Sequence, residues 1–297
     1  MNRFAPILVA RIKTLNHDRR IVPVNFRPRL RKLPGIRAIL FDVYGTLVDS
    51  GMDSFRSLSR RMLNSQIINV LRQSGLNPRG PQVGVFVFDA LQERIAHAHQ
   101  LARARGINYP EVNIRNIWRQ VLCLSIQRGW VKGGVNARVI TRIALEYEGI
   151  QNPVALMPGV KNALALLRQR GITMGIVSNA QFYTPLILQV LLGDSLTKVG
   201  FDRSLCIWSY RLGLAKPSPD LLNLDLARLE NKYGLTPREV LMIGNDWGND
   251  LAPAQKFGCR TALLAGSRRS FAPPQGALRR WRPDLLLTHW SQLGIVE

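Results

Sequence analysis

Cysteine is scarce in this 297-residue chain. Cys123, Cys206 and Cys259 are far apart and odd in number, which excludes a disulfide frame, and with no CxxC pair there is no zinc-ligand spacing. They point to reduced thiols in a cytosol-like compartment. Histidine is equally thin. His17, His97, His99 and His289 are scattered, and His97 and His99 lie two apart on a predicted helix, so they do not share a face as i,i+4 ligands would. No apolar run approaches the ~20 residues of a membrane span, and the longest, Val83-Gly84-Val85-Phe86-Val87-Phe88, stops at Asp89. Internal repeats and low-complexity tracts are missing beyond the Arg/Pro-rich ends. Acids are few: 19 Asp and Glu stand against 41 Lys and Arg, a formal net charge of +22. Such a surface attracts anions, whether phosphorylated small molecules, nucleic acid or acidic membrane. No aromatic stacking pattern or zinc spacing supports the nucleic-acid reading.

Part of the charge is local. Met1 to Arg37 holds ten Lys and Arg against Asp18 alone. An Arg-rich, acid-poor start suits an organellar transit peptide, but this one has no Ser and carries Pro6, Pro23, Pro28 and Pro34. Residues 1–36 are therefore expected to form an irregular, disordered basic extension outside the core.

What is present beyond residue 36 falls into two textures. Residues 37–49 open with a short apolar strand, Ala38-Ile39-Leu40-Phe41. From 50 to 153 the periodicity is helical, in four segments. These are marked by Leu58, Met62, Ile67, Val70 and Leu71; by Leu91, Ile95, Ala98, Leu101 and Ala102; by Ile114, Ile117, Trp118, Val121 and Leu122; and by Val139, Ile140, Ile143 and Ala144. From 154 to 297 helices alternate with short strands near 173–178, 205–208, 240–243, 260–264 and 284–287. That alternation predicts an α/β fold with a doubly wound parallel sheet, covered on both faces, and a helical domain inserted after its first strand.

Four strand or loop ends carry chemistry. Asp42, in Phe41-Asp42-Val43-Tyr44-Gly45-Thr46, ends the first strand, where ligands of open α/β sheets bind. Ser178-Asn179 ends Ile176-Val177, and Lys216 precedes Pro217-Ser218-Pro219-Asp220 at a helix start. Asp246 and Asp250, four apart, follow Leu241-Met242-Ile243-Gly244-Asn245.

A nucleophilic carboxylate, a hydroxyl, an ammonium and paired acids, in that order, resemble the haloacid dehalogenase-like (HAD) hydrolase superfamily from about Arg37 to about Trp290. The resemblance implies a Rossmann-like core at 37–49 and 154–297, with residues 50–153 as a helical C1-type cap that favours small substrates over polymers. It implies that Asp42 attacks and forms a covalent intermediate that water hydrolyses. Thr46, Ser178 and Asn179 would bind the anionic group, and Lys216 would supply positive charge beside the nucleophile. Mg²⁺ would be held by Asp42, the Tyr44 carbonyl and Asp246, with Asp250 behind them or acting through water. Asp250 as the N-cap of a helix from Leu251 is the plainer alternative.

Two departures bear on the reaction. Asn245 stands where the family usually has Gly. Tyr44 stands where HAD phosphatases carry a second Asp, and Asp-X-Tyr-Gly-Thr looks like the L-2-haloacid dehalogenases, which need no metal. Those enzymes, however, typically have Ser where this chain has Asp246. Without a cation, Asp42 and Asp246 would repel and one pKa would rise. The expectation is therefore a Mg²⁺-dependent phosphohydrolase acting on a small anionic substrate. The alternatives are a 2-haloacid dehalogenase-type hydrolase and a weakly active or non-catalytic binding protein of the same fold. Trp247 is expected to wall the pocket.

Overall fold

Ala38–Phe41 (β1) is buried at every residue, because it lies in the middle of a sheet covered on both faces. The computed structural model describes residues 5–15, 21–50, 58–271 and 282–295. Within these the chain forms two compact units, residues 1–17 with 51–153 and residues 18–50 with 154–297.

In the second unit, β1 is followed by Val48–Ser50 (β2), which pairs antiparallel with Val154–Leu156 (β5). The other sheet strands are Thr173–Ser178 (β6), Phe201–Trp208 (β7), Val240–Gly244 (β8), Arg260–Leu264 (β9) and Leu285–Leu287 (β10). The six-stranded sheet has the order β10-β9-β8-β1-β6-β7, and every pairing in it is parallel. Phe41 is in register with Ile176 of β6 and Ile243 of β8. Asp42, Ser178-Asn179 and Asn245-Asp246 therefore leave the sheet at the same carboxyl edge.

Helices Val160–Gln169 (α6), Thr184–Leu192 (α7), Leu196–Val199 (α8), Ser209–Leu212 (α9), Pro219–Tyr233 (α10) and Ala252–Lys256 (α11) connect the strands. On one face of the sheet, Leu221, Leu222, Leu226 and Leu229 of α10 pack with Leu40, Val177, Leu205 and Met242. Elsewhere Phe41 meets the rings of Phe201 and Trp290, and Trp290 belongs to the 3₁₀ turn Trp290–Ile295. β7 starts at Phe201, four residues before the predicted strand. Its register jumps from Met174↔Phe201 to Ile176↔Cys206, so Asp202-Arg203-Ser204 form an outward bulge whose polarity hides the strand.

The helical unit contains Arg60–Gln73 (α2), Val83–Ala104 (α3), Ile114–Gln127 (α4) and Ala137–Gln151 (α5), with a short ribbon of Asn77–Pro78 (β3) against Val131–Lys132 (β4). Ser59, Asn113 and Asn136 cap α2, α4 and α5 by accepting from backbone N–H groups of the first turn. The apolar run from Val83 is the buried first part of α3, which the periodicity at Leu91–Ala102 had not reached. Asn64 Oδ1 accepts from the N–H groups of Gly84 and Val85, and a Cβ on Gly84 would strike the Asn64 carbonyl, so a glycine is needed where α2 and α3 approach. Met62 and Leu101, expected on buried faces, are exposed. Among the described residues no helix is long and apolar enough to cross a membrane.

The expectation of a disordered extension over 1–36 is corrected in the described parts. Ala5–Leu15 (α1) is a helix, and Pro6 falls in its first turn, where a missing N–H is tolerated. Ile12 is fully buried, and Arg11 Nε donates to Glu146 Oε1 and Oε2 at 2.7 and 2.8 Å. Glu146 on α5 has no exposed surface, so Arg11, with Arg142 3.6 Å away, supplies the countercharge that its burial demands. Further on, Arg29 bridges antiparallel to Leu286, Arg31 pairs with Asp284, and the ring of Phe26 meets that of Phe271.

Asp225 of α10 is a conflict inside the core. Neither of its buried oxygens has a hydrogen-bond partner. Burial raises its pKa well above the ordinary carboxylate value, against the opposing pull of Arg228. Burial, followed by the charges of Asp225 and Asp202, pushes the Cys206 thiol up to about 12.

Two stability predictions follow from these buried acids. Arg11→Ala should cost roughly 1.5–3 kcal/mol, the range for a hydrogen bond to a charged group. It should lower the melting temperature by several degrees, and an unchanged Tm would mean that α1 does not hold Glu146. For Asp225 the folded pKa is the higher one, so its contribution to stability is complete below the unfolded value near ~4 and is lost as pH rises through the folded pKa. Asp225→Asn should accordingly raise Tm over wild type at pH 8 and give little or no gain at pH 4, as measured by thermal unfolding at both values.

Candidate active site

Asp42 follows β1 and is buried, and the turn after it folds back tightly. Gly45 N–H donates to the Val48 carbonyl at 2.7 Å, and Val48 N–H to the Val43 carbonyl at 3.0 Å. Gly45 has φ of +90°, and a Cβ there would overlap the Asn245 side chain, so both conformation and space require glycine. Thr46 Oγ1 lies 3.1 Å from Asp42 Oδ2 and 3.3 Å from Asn245 Oδ1, and the Trp290 indole donates to the Thr46 carbonyl at 3.3 Å.

Lys216 reaches Asp42 from the loop before α10. Its Nζ is 2.6 Å from Asp42 Oδ1 and 2.6 Å from Asp250 Oδ1, with all three side chains nearly inaccessible to solvent. Asn179 holds the loop in place: Lys216 N–H donates to Asn179 Oδ1 at 2.7 Å, and Asn179 Nδ2 donates to the Lys216 carbonyl at 3.3 Å. The Asn179 side chain thus tethers the Lys216 backbone through its oxygen and one of its two N–H donors. Ser178 is fully buried at the end of β6, with its Oγ 3.4 Å from the Asn179 carbonyl.

Asp246 and Asp250 belong to a π-helical turn at Trp247–Leu251. Asp246 caps it, accepting from Asn249 N–H at 3.0 Å and Asn249 Nδ2 at 2.7 Å, so the capping alternative considered for Asp250 belongs to Asp246. Asp250 Oδ2 instead accepts from Asp246 N–H at 3.1 Å, and a Cβ on Gly244 would overlap the Asp250 carboxylate. Trp247 packs against the hydrophobic core. The Tyr44 hydroxyl is 2.9 Å from Thr184 Oγ1, which also accepts from Gln181 N–H.

The electrostatics follow from one ammonium shared by more than one carboxylate. Burial pulls the Lys216 pKa down, but Asp250 and Asp42 outweigh it and raise it above the ordinary lysine value. Asp250 is also pushed up, to about 7, because burial and the Asp42 charge outweigh the attraction of Lys216. Both directions are consistent: the ammonium gains two partners, while Asp250 shares its one partner with Asp42. Asp246 adds a third negative charge at this edge, so the donor set is anionic and made of hard oxygens. That chemistry fits Mg²⁺ held by Asp42, Asp246 and the Tyr44 carbonyl. Among the described residues no group of three or more His, Cys, Asp and Glu side chains is gathered to hold a metal by side chains alone.

Thr184, Asn249, Ser270 and the tethering role of Asn179 were not recognisable from spacing; only the strand-end position of Asn179 hinted at one. A cavity of about 760 Å³ lies at the opposite, amino-terminal edge of β1 and β6, lined by Arg37, Arg170, Thr173 and Tyr233. It shares no residue with the carboxylate cluster and lies at the end of the strands where open parallel sheets do not bind their ligands.

Comparison with known proteins agrees with this geometry. The family model described as haloacid dehalogenase-like hydrolase matches residues 36–258. Phosphoglycolate phosphatase of Aliivibrio fischeri is 28% identical over 236 residues, covering 77% of this chain and 84% of that protein. The Yersinia pseudotuberculosis phosphoglycolate phosphatase is 26% identical over 274 residues, covering 88% and 93%. Among solved structures, a 2-haloacid dehalogenase from Pseudomonas syringae pv. Tomato DC3000 superposes with a TM-score of 0.53 at 18% identity, over 87% of this chain and 96% of that one, which is a likeness of fold. With its model matched over most of the length and the motif carboxylates gathered at one sheet edge, the chain belongs to the haloacid dehalogenase-like hydrolases.

Proposed function

We propose that this hydrolase is a Mg²⁺-dependent phosphatase of a small phosphorylated molecule, working through a covalent intermediate on Asp42. The observation that carries the reading is Lys216 Nζ at 2.6 Å from both Asp42 and Asp250, with Asp246 a third acid at the same edge. A site this anionic suits a divalent cation, through which a phosphoryl group would bind, whereas a dehalogenase has no use for Asp246. The phosphoglycolate phosphatases among its relatives support the substrate class and make phosphoglycolate the first compound to try. Residues 50–153, by their place in the sequence, would be the family's substrate-selecting cap. The three free cysteines suit a reducing, cytosol-like compartment.

In this mechanism Lys216 fixes Oδ1 of Asp42 and Thr46 orients Oδ2 for attack on phosphorus. The bond from Asp42 to phosphorus forms as the bond to the leaving oxygen breaks. Water then attacks phosphorus, releasing phosphate and restoring the carboxylate. Mg²⁺, when bound, would neutralise charge on the phosphoryl oxygens. Lys216 contributes fixed positive charge beside the same atoms. Tyr44 replaces the usual acid: its phenol has an unperturbed pKa near ~10 and is hydrogen-bonded to Thr184, so leaving groups stable as anions are favoured. Tyr44 is also the observation that favours a second reading, carbon–halogen hydrolysis without a metal.

Phosphoglycolate, an aryl phosphate, an acyl phosphate and a 2-haloacid, each assayed with Mg²⁺ and with chelator, separate the two. Phosphate release that needs Mg²⁺ and vanishes in a folded Asp42→Asn variant is the expected result. Metal-independent halide release without phosphate release would overturn it. Tyr44→Asp should raise turnover of alkyl phosphates by about 10²–10⁴-fold, the usual yield of general acid catalysis, and should change aryl and acyl phosphates little. An equal change on all of them would refute the proton-donor argument.

A further inference from the structure

Ser270 lies in the loop after β9, far in sequence from every motif, yet it touches two parts of the core unit at once. Its Oγ is 2.5 Å from Asp49 Oδ1 and accepts from Ser50 N–H at 3.0 Å, both in β2. Its carbonyl accepts from Asn245 Nδ2 at 2.6 Å. Asn245 Oδ1 then lies 3.3 Å from Thr46 Oγ1, which lies 3.1 Å from Asp42 Oδ2. A path of polar contacts, carried across Ser270 from its hydroxyl to its carbonyl by covalent bonds, thus runs from β2 to the carboxylate of Asp42. Asp49, Ser50, Asn245, Thr46 and Asp42 are all buried, so their polar groups need partners inside the protein, and Asp42 also has Lys216.

The chemistry of the path gives it a direction. The carbonyl of Ser270 is an acceptor only, which obliges the Asn245 amide to point its NH₂ there and its oxygen at Thr46. Thr46 has one hydroxyl proton and faces two acceptors, Asn245 Oδ1 and Asp42 Oδ2. Seated by Ser270, Asn245 competes for that proton and leaves Asp42 more of its negative charge. Released, it would let Thr46 donate wholly to Asp42, keeping Oδ2 oriented but lowering the nucleophilicity of the carboxylate. Gly45 leaves the space in which Asn245 sits.

We propose that Ser270 and Asn245 are positioning residues for the hydrolytic step, forming a hydrogen-bonded link that sets the Asp42 carboxylate according to how β2 is seated. This rests on the reading of Asp42 as the nucleophile.

The test combines kinetics with hydrogen exchange on the full-length chain. Ser270→Ala and Asn245→Ala should each lower kcat about 10-fold with KM within about 2-fold, the pattern of a lost transition-state contact. Ser270→Thr, which keeps the hydroxyl, should restore it. The double variant should be no slower than the worse single, because the two act on one path. Asn245→Ala should also speed amide exchange several-fold in 48–50 and 154–156, strands it does not itself touch. Asn245→Gly repeats the measurement if the alanine variant folds poorly. Unchanged exchange in both strands, or kcat losses that multiply, would overturn the link. Asp42→Asn run alongside separates the two ideas: activity surviving it defeats the nucleophile reading, and the exchange result alone then decides whether Asn245 and β2 are joined.

Discussion

A buried ammonium placed between two buried carboxylates is the interaction around which this core is arranged. Taking Lys216 out of water is costly, and only close, well-directed partners offset it. Asp42 and Asp250 supply them, each at 2.6 Å. Each partner depends on a local feature of sequence. Asn179 brackets the Lys216 backbone from both its N–H and its carbonyl. Gly244 leaves room for the Asp250 carboxylate, and the N–H of Asp246 satisfies its second oxygen. Gly45 bends the turn so that Thr46 returns to Asp42. Removing any of these would leave a charge in the protein interior without its countercharge or its solvent.

The same cluster shares its one ammonium between two carboxylates. Burial, with the Asp42 charge added, outweighs the attraction of Lys216 and raises the Asp250 pKa. On the proposed reading a divalent cation at Asp42 and Asp246 would offset the Asp42 charge that Asp250 faces. The departures at Tyr44 and Asn245 are thus unequal. On the proposed reading Tyr44 bears on the leaving group, while Asn245, the bulkier substitute for glycine, hydrogen-bonds to the loop bearing Ser270.

Much of this was legible in the sequence because strand ends in a parallel sheet are placed by register. Once Ala38–Phe41, Thr173–Ser178 and Val240–Gly244 are recognised as neighbours, Asp42, Ser178 and Asp246 must share an edge. Loops have no such rule. Ser270 lies 25 residues from Asn245 and 220 from Ser50, and no periodicity links them. Thr184 was hidden for the same reason. The start of α3 was missed because Val83, Val85 and Val87 look like a strand when Asn64 is not known to cap them. The basic start was read from its prolines, and the buried partner that orders α1, Glu146, is 135 residues away.

Open sheets are exposed to one danger that this chain meets at both ends. A free outer strand offers unpaired N–H and C=O groups to any other extended chain. At one margin the segment around Arg29 pairs with Leu286 and occupies the rim of β10. At the other, β7 buckles at Asp202-Arg203-Ser204, and Lys232 and Tyr233 pin the bulge through Asp202 at 2.6 Å. With one margin occupied and the other crooked, strand-by-strand growth into an aggregate finds no straight template. The arginines near the start of the chain thus act partly as a hem, guarding the folded sheet against its own kind.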